Sequence, residues 1–337
     1  MDHSGKLLWE PAVYEHKAAL IGRRPADVGG SADLLEQALE AEYRAYGADF
    51  MTVGIDVYNV EAEACGALPV TFADDQCPEI ASPLWTLDAL PTQLVLPPVP
   101  ASGRFPLLLE AARRFRAWLA RQTPDHARPV VRVAASGPLT IAAKLVGTEE
   151  LLMGLAAGDP PAVRLLDFTT ALAESWVTAI REHGFDAIVF DSTASPPMLS
   201  PTLYRDIALP VHTRLMRRLE HLRQRERPLV LGGDTTSIAG LLVATGANQV
   251  VCDYAAGAAG FAASLKAAHP SAPVSVRRNV SPALLSADDL DPVVSSSCAD
   301  LAVLPNPICG TGILPYDQDP DRYRLYRLLV EERVAKR

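Results

Sequence analysis

No stretch of this 337-residue chain approaches the ~18 uninterrupted apolar residues of a membrane-spanning helix, so no membrane span is expected. The amino-terminal residues MDHSGKLLWEPAVYEHK show no long apolar run after their charges, which argues against a secretory signal. Positive charge is in short supply: 31 Lys and Arg stand against 40 Asp and Glu, for a net charge of −9. Nucleic acid requires a basic footprint and is therefore not an expected partner; an anionic small molecule requires only a locally basic pocket. Cysteine is scattered and odd in number. Cys65, Cys77, Cys252, Cys298 and Cys309 include no CxxC pair, a pattern of reduced thiols in a cytoplasmic protein rather than of a disulfide framework. No Gly-x-Ser-x-Gly elbow is present, and His16, His183, His212, His221 and His269 show no metal-ligand spacing.

What the chain does have is apolar bulk, 49% hydrophobic residues, enough to bury a large core. Short apolar runs at Phe50–Ile55, Val130–Ala134, Ala187–Phe190, Leu229–Leu231, Gln249–Cys252, Pro273–Val276 and Leu301–Leu304 read as strands buried on both faces. Helical patterns over Ala32–Tyr46, Val163–His183, Thr202–Arg225, Thr236–Thr245 and Gly257–His269 alternate with them. Seven or eight such units predict an α/β fold, a single (β/α)8 TIM barrel over 1–337, with a doubly wound sheet as the alternative. Ala67–Arg104 breaks the cadence with Pro69, Pro78, Pro83, Pro91, Pro97, Pro98 and Pro100. It reads as an excursion over the barrel mouth, either a lid or a plain surface loop.

Six separated motifs then fall at predicted strand ends. They are Asp49–Asp56, Ser136–Thr140, Asp191–Ser195 (followed by Leu199–Pro201 and Ala208–Pro210), Gly233–Thr236, Arg278–Pro282 and Gly310–Pro315. Their kind and order resemble the uroporphyrinogen decarboxylase superfamily, which implies a single barrel with its site at the carboxyl ends of the strands. The stretch Leu229–Thr236 resembles the Leu-His-x-Cys-Gly-Asp-Thr-Thr segment of the zinc-dependent, corrinoid-linked methyltransferases in that superfamily. Val230 stands in place of that His and Gly232 in place of the Cys, and neither side chain can ligate zinc. Tyr14–Lys17, Gly22–Pro25 and Tyr58–Glu63 resemble the methyltransferase branch, while the Arg-rich substrate-binding element of true decarboxylases is reduced to Arg23 and Arg24.

The resemblance suggests site residues, each with a plainer alternative. Asp56 matches a carboxylate that organises substrate N–H groups, or caps the following segment. Ser192 would hydrogen-bond a substrate oxyanion, or only close a turn. Lys144 replaces a functional Tyr of the decarboxylases, as a carboxylate-binding or proton-transferring cation, or it is a surface lysine. Thr311 stands where the decarboxylases have His and is expected as a hydrogen-bonding substrate contact, with Cys309 two residues earlier as a thiolate only if the loop shifts. Arg277 and Arg278 end a strand, so one of them should face the barrel, with Arg278 beside Asn279 as the expected substrate contact and a salt bridge to Asp253 as the alternative. Asp234 and Asp253 also sit at strand ends, where one of them is expected as general acid or base; Asp234 is the catalytic expectation, and Asp253 and Tyr58 are expected substrate contacts.

Three functions follow. The first is acid/base and electrostatic catalysis of decarboxylase or lyase type on a small anionic substrate other than uroporphyrinogen, with Asp56, Lys144 and Asp234 catalytic and with neither metal nor cofactor. The second is corrinoid-dependent methyl transfer or demethylation without the usual zinc site, with a corrinoid protein as partner. The third is a non-catalytic binding protein on the same barrel. A homodimer is the expected assembly, by resemblance alone.

Overall fold

The computed structural model describes residues 6–196, 198–271 and 273–336. Eight strands in two four-stranded parallel sheets carry the architecture. In chain order they are β1 (Leu8–Ala12), β2 (Phe50–Val53), β3 (Val130–Ser136), β4 (Asp186–Phe190), β5 (Leu229–Val230), β6 (Gln249–Cys252), β7 (Ser275–Val280) and β8 (Pro307–Ile313). One sheet is ordered β2-β3-β4-β5 and the other β6-β7-β8-β1. Their edges meet at two seams. The Asp49 N–H donates to the Trp9 carbonyl at 2.9 Å, and Pro228 forms a parallel bridge to Gln249.

Helices separate successive strands, as the alternating pattern requires: α1 (Ala32–Tyr46), α2 (Phe105–Gln122), α3 (Pro138–Val146), α4 (Pro160–Glu182), α5 (Leu209–His221), α6 (Ala239–Ala244), α7 (Ala258–Ala268) and α8 (Asp291–Val303), with α9 (Pro320–Ala335) after the last strand. Their apolar faces close over the strands, as where Phe105 stacks on Trp176 at 4.2 Å and the Trp176 indole donates to the Ala134 carbonyl. No helix among the described residues is long and apolar enough to cross a membrane.

Two expectations about strands are corrected. Leu301–Leu304 is not a strand: Leu301 and Leu304 are buried while Ala302 and Val303 between them are exposed, the three-residue spacing of a helix face. The last strand lies further on, in Pro307–Ile313, whose small residues Cys309, Gly310 and Gly312 mute the usual β-branched signal. The first strand is Leu8–Ala12, so the Asp49–Asp56 segment supplies the second. Glu10 and Pro11 disguise β1 in the sequence, because Glu10 is a buried charge that only its partners make tolerable.

Those partners form a polar layer between the sheets. Glu10 accepts from Arg132 at 3.1 Å, from Gln249 at 2.6 Å and from Arg277 at 3.1 Å. Arg132 also donates to Gln249 and to Glu226, and its guanidinium lies 4.0 Å from the Phe50 ring. One carboxylate thus joins β1, β3, β6 and β7 beneath the site. The excursion 67–104 holds a two-residue antiparallel pair, Pro69–Val70 with Glu79–Ile80, and exposes Leu68, Phe72 and Val95. Cys77 and the Pro78 carbonyl tie it to the loop after β2.

Candidate functional site

A cavity of about 340 Å³ opens at the carboxyl ends of the strands. Its wall takes Ala12 from β1, Phe190 from β4, Val230 from β5, Val251 from β6, Arg277 and Asn279 from β7, and Thr311, Gly312 and Ile313 from β8. The loops beyond the strands add Tyr14, Tyr58, Leu231, Gly232, Gly233, Asp253, Tyr254 and Ala255. A larger apolar cleft beside Leu7, Leu301 and Pro307 sits at the amino ends of β1 and β8, opposite the end where barrel-type enzymes place chemistry.

Arg277 reaches this cavity because it and Asn279 share one face of β7, two residues apart. Gly310 on the neighbouring strand makes the space. A Cβ at Gly310 would lie 2.8 Å from both Arg277 Cγ and Asn279 Oδ1. Arg277 is 3% exposed and donates to Glu10, and its buried Nε has no hydrogen-bond partner among the described residues. Beside it, Tyr14 and Tyr58 meet the Phe190 ring edge-on, at 5.8 and 6.2 Å. Burial pushes the Tyr58 phenol up to about 12 and the Tyr14 phenol higher still, so both stay neutral hydrogen-bond donors near neutral pH.

Of the residues expected from the sequence, Tyr58, Asp253, Asn279 and Thr311 line the cavity. Asp253 Oδ1 accepts from the Ala255 N–H at 3.1 Å and Oδ2 from Asn279 Nδ2 at 3.2 Å. Thr311 Oγ1 accepts from the Ala12 N–H at 3.0 Å. The other expected residues lie outside the wall, each with its own partners. Asp56 Oδ2 pairs with Arg104 at 2.7 Å, while Oδ1 accepts from the backbone of Tyr58 and Asn59. Lys144 pairs with Glu79 on the excursion. Asp234 is exposed and closes a turn onto the Thr236 N–H. Ser192, half-buried, lies 3.5 Å from the Thr140 hydroxyl. Arg278 faces away from the cavity, pairing with Asp300 on α8 and donating to the carbonyls of Asp253 and Ala256. It holds the Asp253 loop from behind, through that residue's backbone carbonyl and not through the salt bridge to its carboxylate.

Sequence reasoning missed Arg277 as the inward member of its pair, and it missed Tyr14 and Glu10. It also missed a buried chain in which Tyr204 bonds His212 at 2.9 Å and His212 bonds Asp191 at 2.8 Å. Asp191 in turn accepts from the Thr140 N–H and hydroxyl at the start of α3. The signal was Gly137: a Cβ there would strike Asp191 at 2.3 Å.

The residues present do not fit the zinc site of the related methyltransferases. Val230 and Gly232 line the cavity, and a Cβ at Gly232 would meet nothing within 4 Å. Among the described residues no group of three or more His, Cys, Asp or Glu could hold a metal ion. Cys309 is no substitute, since it is buried on the helix side of β8 with its Sγ 3.7 Å from the Tyr326 hydroxyl.

Comparison with known proteins gives a consistent result. The chain is 31% identical over 174 residues to the uroporphyrinogen decarboxylase of Xylella fastidiosa (strain Temecula1 / ATCC 700964), covering 49% of this chain and 46% of that protein. It is 30% identical over 196 residues to that of Xanthomonas campestris pv. campestris (strain B100), covering 56% and 52%. The match thus spans about half the length of these relatives. A methyltransferase from Methanosarcina mazei shares the fold, with a TM-score of 0.81 at 16% identity over 97% of this chain and 94% of that one. The profile of the uroporphyrinogen decarboxylase (URO-D) family matches residues 12–293, and the chain belongs to that family.

Proposed function

We propose that the two sheets close into one (β/α)8 barrel and that the cavity at their carboxyl ends is the active site of a lyase of carboxy-lyase type, acting on a small carboxylate. The observation that carries this is Arg277, a buried guanidinium in the cavity wall flanked by two neutral tyrosines. Arg277 and the Tyr14 and Tyr58 hydroxyls would grip an anionic group and stabilise charge that develops beside it, because donors fixed in a dry site need no reorganisation. Phe190, Val230, Leu231 and Val251 would desolvate a departing carboxylate, and Tyr58 would deliver the proton that replaces it. Asp253, Asn279 and Thr311 complete the substrate contacts. A volume of about 340 Å³ and a single wall cation are a poor match for a tetrapyrrole bearing many carboxylates, so uroporphyrinogen is not the substrate in this reading.

The test is a screen of small carboxylates for CO2 release, comparing the wild type with Arg277→Met. A substrate should emerge whose turnover falls at least about a hundredfold in the variant, the scale expected when a charged transition-state contact is lost. Turnover that survives in Arg277→Met would refute the assignment.

A second reading is methyl transfer with a corrinoid protein as partner. It draws on the fold shared with the Methanosarcina mazei methyltransferase and on the Gly233–Thr236 frame beside the cavity. Metal content by inductively coupled plasma mass spectrometry, together with methyl transfer from methylcobalamin, separates the two. Zinc far below stoichiometry and no methyl transfer are expected; methylcobalamin-dependent turnover would move the assignment to methyl transfer.

A further inference from the structure

Two sets of polar groups meet in the cavity wall, and they are opposite in kind. The first set donates: the Arg277 guanidinium, whose Nε has no hydrogen-bond partner among the described residues, and the hydroxyls of Tyr14 and Tyr58. The second set accepts. Asn279 is 5% exposed, and its buried Oδ1 has no hydrogen-bond partner among the described residues. Beside it the Asp253 carboxylate receives one N–H on each oxygen, and its two donors, Ala255 and Asn279, are both neutral. A buried acceptor without a donor is costly, so such an atom in a cavity wall points to a ligand that supplies the donor.

The charges say which ligand. Arg277 is matched by Glu10, and Arg132, which shares Glu10, is matched in addition by Glu226. Two guanidiniums therefore meet two carboxylates beneath the cavity, which leaves Asp253, among the described residues of the wall, as a charge without an ion-pair partner. A simple carboxylate docked on Arg277 would meet that negative charge from across a small cavity. A molecule that also carries an ammonium group would satisfy it. Arg277 and Asn279 are two residues apart along one strand face, a backbone separation of about 7 Å, which sets the spacing to a short chain.

We infer that the site takes a short zwitterion, an amino acid whose carboxylate rests on Arg277, Tyr14 and Tyr58 and whose ammonium rests on Asp253 and Asn279 Oδ1. This inference rests on the proposed reading of the cavity as a carboxylate site and narrows its substrate class.

Isothermal titration calorimetry on the full chain at pH 7.5 tests it, with β-alanine and γ-aminobutyrate as probes, propionate and butyrate as carboxylates of matching length, and n-butylamine as the lone cation. The amino acid should bind roughly tenfold or more tighter than its matching carboxylate, the worth of one charge-assisted contact. Asp253→Asn should close that gap. Arg277→Met should abolish binding of both. Tyr58→Phe, a milder change on the donor side, should weaken both by a similar factor. A carboxylate that binds the wild type as tightly as its amino acid, or a gap that persists in Asp253→Asn, overturns the zwitterion while leaving the carboxylate site standing. Probes that bind Arg277→Met as well as wild type, or a wild type that binds neither the carboxylates nor the amino acids, overturn the carboxylate site and the zwitterion with it.

Discussion

Glu10→Gln exchanges one atom and tests the polar layer on which the cavity rests. Glu10 is 2% exposed and accepts three hydrogen bonds, two of them from guanidiniums that are themselves 0% and 3% exposed. Gln at this position can accept through one oxygen only, and its amide N–H groups would face Gln249 Nε2 or an arginine, donor against donor. One charge-assisted bond lost is worth about 1.5–3 kcal/mol. The substitution also leaves Arg132 and Arg277 with a single carboxylate, Glu226, which is 38% exposed and well screened. Breaking a buried ion pair by removing one partner costs about 3–5 kcal/mol, so the expected loss lies in that range. Urea unfolding followed by tryptophan fluorescence measures it, with Trp9 in the same strand as Glu10. The double variant Glu10→Met, Arg277→Met removes both members of one pair and should recover part of the loss, since two apolar groups leave no orphaned charge between them. A Glu10→Gln loss below about 1 kcal/mol, or a double variant no better than the sum of its single changes, would refute the argument that these charges hold one another in place.

Three further predictions concern other residues. Glu61 is buried against the Ser136 N–H and hydroxyl, at 2.7 and 2.6 Å, and burial pushes its carboxyl up to about 7 from 4.5. The folded chain therefore holds a proton between those pH values that the unfolded chain has lost. Its contribution is fully present below pH 4.5 and fades as pH rises through about 7, by about 3 kcal/mol at most. Glu61→Gln should flatten that part of the stability profile measured by urea unfolding; equal slopes in both proteins would count against the assignment. Gly310→Ala places a Cβ 2.8 Å from Arg277 Cγ and Asn279 Oδ1, so it should cost about 1–3 kcal/mol and weaken carboxylate binding. Unchanged calorimetry in that variant would show that the two side chains are free to move aside. Burial pushes the Cys309 thiol up to about 12, and it should react with a disulfide reagent at pH 8 only as fast as the chain unfolds. Modification of Cys309 in the folded protein, located by peptide mass spectrometry, would contradict its placement behind β8.

Strand identity was most legible where the apolar runs are continuous, as in β3, β4 and β6, because both of their faces are covered. It failed at β1 and β8, where a buried charge or space-making residues interrupt the run: Glu10 in the first, Gly310 and Gly312 in the second. Leu301–Leu304 misled for the opposite reason, since four apolar residues are too few to separate a helix face from a strand. Four of the expected site residues, Tyr58, Asp253, Asn279 and Thr311, share one cavity wall. Asp56 and Lys144 sit at suitable strand and helix ends, but Arg104 and Glu79 reach them from the far end and the middle of the excursion, and nothing local in the sequence announces those partners.

The adjacent arginines separate what sequence determines from what the tertiary structure decided. By itself the sequence specified an α/β chain of alternating strands and helices, the family to which it belongs, and the absence of the His-x-Cys pair at Val230 and Gly232. Alternation along a strand also required that one of Arg277 and Arg278 point inward. Which one depends on the register of β7 against β6 and β8, where Gly310 leaves space on one face and Asp300 waits on the other. Register is set by pairing between segments distant in the chain, and a slip of one residue would exchange the two side chains. The sequence could supply the cation, and only the packed sheet could place it.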